Sequence, residues 1–209
     1  MDADSFRDAV EARTQTELDR LGSSKRLVAV TGADLSTETV LERAAASEAA
    51  AAETFDVLAA ASDDPAAVET FESFAATERE HYERVTADLD DGDVAAEPGA
   101  VHDVLREQTD DVTRAGTVVG RGLVADRTLA QFVGFFVNDA DETLADRFRD
   151  LRRDTDDDTD EAVALLASVC EGDDDWGRAA EAAEAAVDAA YEEYVAALNE
   201  LGVDAKSVC

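Results

Sequence analysis

At 209 residues the chain is long enough to bury one core of ordinary domain size, and 51 aspartates and glutamates against 18 lysines and arginines give it a formal net charge of −33. That charge repels phosphate backbones, so the electrostatic footprint of a direct nucleic-acid binder is excluded, and no run approaches the 18 or more apolar residues of a membrane span. With 45% hydrophobic residues recurring at helical period, the chain is not a disordered acidic tail either.

Self-repulsion of this size loosens a fold in dilute buffer and is screened within about 3 Å at molar salt, which points to adaptation to a salt-rich interior. The cations agree: Lys25 and Lys206 are the only lysines, and the other basic residues are arginines, whose weakly hydrated guanidinium pairs with carboxylates in a fork. Cys170 and Cys209 lack the spacing of a zinc knuckle or a rubredoxin-type iron site and read as free thiols. The first ten residues carry no apolar leader, so a cytoplasmic location is expected.

In chain order, a first helix is expected over residues 4–21, ending at Gly22-Ser23-Ser24, with residues 27–30 ambiguous. A second begins after Ser36 or Thr37 and runs to about residue 61; a third starts at Pro65 behind Asp63 or Asp64 and stops near Leu89. So short a connection forces an antiparallel hairpin. Residues 90–99 form a polar crossover linker. Further helices are expected over 101–119, 127–153, 160–171 and 176–201, within one domain spanning 1–209. Trp176 anchors the last helix, whose core face carries Tyr191, Tyr194, Val195, Leu198 and Leu201.

The chemistry lies on the first hairpin. The apolar stripe of the second helix steps through Leu41, Ala44, Ala51, Phe55 and Leu58, and Glu48 falls inside it. The stripe of the third runs through Phe71, Phe74 and Ala75, then Glu78 and His81, then Val85. Glu78 and His81, three residues apart, share one helix face. Counted from Asp63, Glu48 and Glu78 are equidistant, at about 22 Å from the turn with 1.5 Å per residue, so they face one another. Buried carboxylates that face each other need a proton, a partner or a cation. A metal ion answers Glu48, Glu78 and His81 together; the alternative is a polar cluster in which Glu48 bonds Tyr82 or an arginine.

Glu48-Ala-Ala-Ala51 with Phe55 and Leu58-Ala59, followed by Phe71-x-x-Phe74-Ala75-x-x-Glu78-x-x-His81, resembles the first helix pair of rubrerythrins, within the ferritin-like superfamily. The likeness covers residues 40–85. It implies an all-α, ferritin-like antiparallel helical bundle with additional N-terminal and C-terminal helices. It also implies iron or manganese held by Glu48, Glu78 and His81, reactive toward peroxide or oxygen, with electrons from a separate donor.

The second half departs from that family, because His102 is the only other histidine and no second Glu-x-x-His exists. Asp139 and Glu142 are the candidates to supply the opposite ligands. Alternatively, two copies of Glu48, Glu78 and His81 meet across a twofold axis, which makes a homo-oligomer, in the simplest case a dimer, the expected assembly. The competing function is a catalytically inactive helical interaction or regulatory protein. In layout the chain is also similar to proteins of salt-loving archaea labelled transcription antitermination proteins, which would make its partners proteins. No membrane partner is expected, and no catalytic residue is assigned.

Overall fold

The computed structural model describes residues 1–90 and 92–205, and these form nine helices and no strand: an all-α helical bundle. Cys209 and Lys206 lie outside the described residues. Among the described residues no helix is long and apolar enough to cross a membrane.

Three short helices open the chain, α1 (Ala3–Arg13), α2 (Gln15–Leu21) and α3 (Lys25–Thr31). The single helix expected over 4–21 is interrupted at Thr14, whose hydroxyl turns back onto the Val10 carbonyl at 2.9 Å and whose amide closes α1 on the same oxygen. The ambiguous residues 27–30 belong to α3, which ends at Gly32 in the left-handed conformation.

Two long hairpins build the centre. In the first, α4 (Thr37–Ala61) begins behind Ser36, whose side chain accepts the Thr39 amide, and α5 (Pro65–Thr86) begins behind Asp64, whose carboxylate accepts the amides of Ala66 and Ala67. In the second, α7 (Asp111–Asn138) turns through residues 139–141 into α8 (Glu142–Val169). The hairpins pack through α5 and α8, antiparallel, where His81 meets Asp154 and Arg147 meets Asp88. Between them the chain crosses over: α5 ends beside the start of α4, whereas α7 starts beside the α4–α5 turn, where Asp111 accepts the Asp64 amide at 3.2 Å. The connection therefore climbs the bundle, with residues 92–99 as a strap along α4 and α6 (Ala100–Glu107) wedged against α4 and α9 (Asp173–Glu200).

These boundaries correct the expected helices of the second half. Residues 120–126 are not a break, because Gly116, Gly120 and Gly122 lie within α7 as contact points. A Cβ at Gly116 would stand 2.3 Å from the Ala179 carbonyl oxygen, one at Gly120 2.3 Å from that of Ala183, and one at Gly122 2.1 Å from Thr159 Oγ1. The glycines let α9 lie parallel and close along α7, with Ala179, Ala183 and Ala186 opposite. Gly120→Ala is accordingly expected to destabilise the protein by about 1–3 kcal/mol or more, since backbone would have to move. Denaturant midpoints measured at molar salt check this against Gly177→Ala, where an added Cβ meets nothing within 4 Å.

Nor are residues 154–159 a loop. Leu151, Thr155, Thr159, Ala162 and Leu166 are buried at steps of three and four, and the intervening aspartates form the wet side of α8. The helix expected over 127–153 is instead cut at Asp139 and Ala140. Ala140 takes φ +60°, and Asp141 caps α8 by accepting the Leu144 amide.

Trp176 is buried against Phe6, with ring centroids 5.6 Å apart. On the last helix Tyr194 and Leu198 are buried, whereas Leu201 is exposed. The apolar interior is in two parts. One, around Phe55, Phe71, Phe74 and Leu123, fills the end of the bundle at the α4–α5 turn and continues along α9 to Tyr194 and Leu198; the other, around Val40, Leu41, Phe132, Phe136 and Phe148, fills the opposite end between the two hairpins. A polar layer separates them at the waist.

Candidate metal centre

Glu48 enters that layer from mid-α4 between Ala45 and Ala51, and Glu78 and His81 enter from α5 between Ala75 and Val85; all three are at most 6% exposed. Each offers one ligand atom, and these atoms lie within 4.8 Å of one another. His81 Nδ1 is 3.4 Å from Glu78 Oε2 and 3.8 Å from Glu48 Oε2. Yet Nδ1 and Oε2 of Glu78 are buried without a hydrogen bond. Atoms this near, yet outside good hydrogen-bond alignment, leave polar capacity between them that a shared proton or a cation can take up. A buried Glu-Glu-His group of this kind can hold a metal ion.

The far nitrogen of the imidazole is fixed from the second hairpin. His81 Nε2 lies 3.2 Å from Asp154 Oδ2, and Arg84 holds that same oxygen at 2.8 Å. With the Nε2 proton committed to Asp154, the Nδ1 side faces the two glutamates, the way a carboxylate orients a ligating histidine.

The fourth wall is a cation of the chain itself. Arg121, on α7, reaches Glu78 Oε1 at 2.8 Å and lies over the Phe55 ring at 5.2 Å. Asp158 of α8 completes the surround; burial first, then the Glu78 charge, pushes its carboxyl up to about 7. Burial and the adjacent Glu78 raise Glu48. For Glu78 burial acts in the opposite sense, but Arg121 and the neighbouring Glu48 and His81 hold it well below the usual carboxylate range. Burial disfavours a charged His81, but the two glutamates outweigh it and raise the imidazole to about 10. These directions favour protons on Glu48 and His81, with Glu78 as the anion between Arg121 and the imidazole.

The residues expected to face this triad from the second half do not reach it. Asp139 is the exposed cap of α7 and Glu142 stands exposed in the first turn of α8, at the end of the bundle; Glu142 lies 3.9 Å from Arg149. Arg121, Asp154 and Asp158 occupy the opposing positions instead. Because α7 and α8 cover the triad, the groups opposite it come from the same chain. Tyr82 does not touch Glu48: its hydroxyl hydrogen-bonds with backbone of Gly92 and Val94 in the strap. The glycine spacing i, i+4 in Gly116-x-x-x-Gly120 was the available signal for a continuous α7, and hence for an inward Arg121.

Compared with known proteins, the chain matches no family model, no curated protein and no solved structure.

Proposed function

We propose that the protein is a ferritin-like, rubrerythrin-related metal-binding protein that holds one iron or manganese ion between Glu48, Glu78 and His81. The observation that carries this reading is the pair of buried, unbonded atoms, Glu78 Oε2 and His81 Nδ1, facing each other and Glu48 across the waist of two hairpins joined by a crossover. Stoichiometry follows from Arg121: its guanidinium sits among the carboxylates where a second ion would need ligands, so one metal per chain is expected. When bound, such an ion supplies redox or Lewis-acid chemistry toward peroxide or oxygen. Around it the chain's own groups have distinct parts. Asp154 fixes the imidazole, Arg121 holds Glu78 in place and balances its charge, and the two apolar clusters exclude water. The sequence carries no cysteine pair at rubredoxin spacing, so electrons for turnover are expected from a separate donor.

Elemental analysis of protein purified in high salt tests the proposal. Near-stoichiometric iron or manganese is expected in wild type, lost in both Glu78→Ala and His81→Ala. Wild-type protein that stays metal-free after anaerobic Fe(II) addition sinks the reading.

One observation favours a second reading. The 2.8 Å Arg121–Glu78 pair already neutralises the buried anion, which suits a metal-free polar cluster in a helical interaction or regulatory protein, transcription-associated by the likeness noted above.

A further inference from the structure

Beside the metal centre, between α3, α4, α6, α7 and α9, the structure encloses a cavity of about 320 Å³. It shares two wall residues with the centre, Glu48 and Arg121. Much of the lining is apolar: Val30, Val101, Val124, Leu129 and Phe132. The volume lies at the small end of organic-ligand sites.

Two polar groups of the wall keep hydrogen-bonding capacity that the protein leaves unused. Arg26 donates from Nε to Thr128 Oγ1 at 3.1 Å, and among the described residues its guanidinium has no ion pair. His102, 7% exposed, has its Nδ1 buried without a hydrogen bond. A buried polar atom left unpaired costs about 1–3 kcal/mol, and a free guanidinium edge offers two parallel donors of the shape a carboxylate accepts. The acids of the wall do not fill that role. Glu97 is engaged by Arg43, and Glu193, whose charge does act on Arg26, accepts the Ala100 amide at 3.1 Å and forms no direct pair with the guanidinium.

We propose that this cavity binds a small organic carboxylate with an apolar body, its carboxylate on Arg26 and its chain against Leu129, Phe132 and Val30. The lining fits a ligand of mixed character and does not fit an inorganic anion, which would leave the valine, leucine and phenylalanine surface unused. Along α7, Thr128, to which Arg26 is bonded, and Arg121 are seven residues apart, about 10 Å at 1.5 Å per residue, so the cavity matches a short fatty or aryl-alkyl acid in length. This site stands independently of the metal reading, because neither Arg26 nor His102 belongs to the triad.

The test is calorimetric titration of chelator-treated full-length protein in molar potassium chloride with octanoate, and in parallel with 1-octanol. Saturable binding of octanoate at about one per chain is expected, at least tenfold tighter than 1-octanol. Arg26→Gln should weaken octanoate at least tenfold and leave 1-octanol unchanged, Arg26→Lys should recover part of the loss, and Ala125→Phe, which fills the cavity, should abolish both. Circular dichroism confirms that each variant is folded, and the octanoate against octanol comparison on wild type decides the matter without any variant. Absence of octanoate binding, or equal affinity for acid and alcohol, overturns the proposal. Unchanged octanoate binding in His81→Ala separates this site from the metal centre: loss of metal with octanoate retained, or the reverse, shows which of the two readings has failed.

Discussion

Replacing Arg121 with leucine is expected to destabilise the metal-free protein by about 3–5 kcal/mol, because it removes the guanidinium paired with the buried Glu78 carboxylate at 2.8 Å and leaves only the more distant His81 to balance it. Leucine keeps the apolar contact with Phe55, so the loss reports charge rather than volume. For a chain of this size the drop in melting temperature is on the order of 10 °C. Excess Mn(II) should return more stability to the variant than it adds to wild type, since the metal then supplies the missing charge. Thermal melts at molar salt with and without Mn(II) check both statements. A variant that melts with wild type would mean that Glu78 is neutral in the native state, and the electrostatic description of the waist would fail with it.

The second large effect is in the pH dependence of metal binding. Glu48 is raised by burial and by Glu78, and His81 to about 10, so at pH 6–7 both carry protons that a ligand atom must release. The sign is fixed: lower pH adds protons that compete with the metal, so affinity rises with pH. Two protons released per ion give about a hundredfold gain in affinity per pH unit, which is about 2.7 kcal/mol. Competition with a chelator whose own pH dependence is known gives the slope between pH 6 and 7. Glu48→Gln should reduce it to about tenfold per unit. A wild-type slope near zero would show that the protons are not where the burial and charges of this layer put them.

The first hairpin and its three converging side chains were legible because their geometry is local. Ser36, Asp64 and Pro65 fix where α4 and α5 begin. A three-residue turn fixes their pairing, and 3.6-residue periodicity then places Glu48, Glu78 and His81 inward. The opposite wall was not legible, because two local signals point the wrong way. Glycines at 116, 120 and 122 lower helix propensity, and the reason for their presence, backbone contact with Ala179, Ala183 and Thr159, lies in other helices. The aspartate run from Asp156 to Asp160 looks like a loop in a sequence where acids crowd every surface. Only the buried Thr155 and Thr159 show that it is one side of a helix. Once α7 and α8 were displaced in register, Asp139 and Glu142 stood in for Arg121, Asp154 and Asp158.

The strap of residues 92–99 determines how the interior communicates with solvent. It lies along α4 with Glu97 donating its amide to the Ala46 carbonyl at 3.3 Å and accepting from the Arg43 guanidinium through its carboxylate, and with Tyr82 tied to Gly92 and Val94. Such a segment has a lower opening free energy than the helices it crosses, so its amides exchange with deuterium before those of α4 and α7. Glu97 and Gly99 are also wall residues of the cavity. Its release therefore loosens the cavity wall beside α4 and lifts Val94 from the apolar cluster it packs against. For the ion and the acid proposed above, exchange is then expected to follow a local unlatching of these eight residues, at a rate set separately from the stability of the fold.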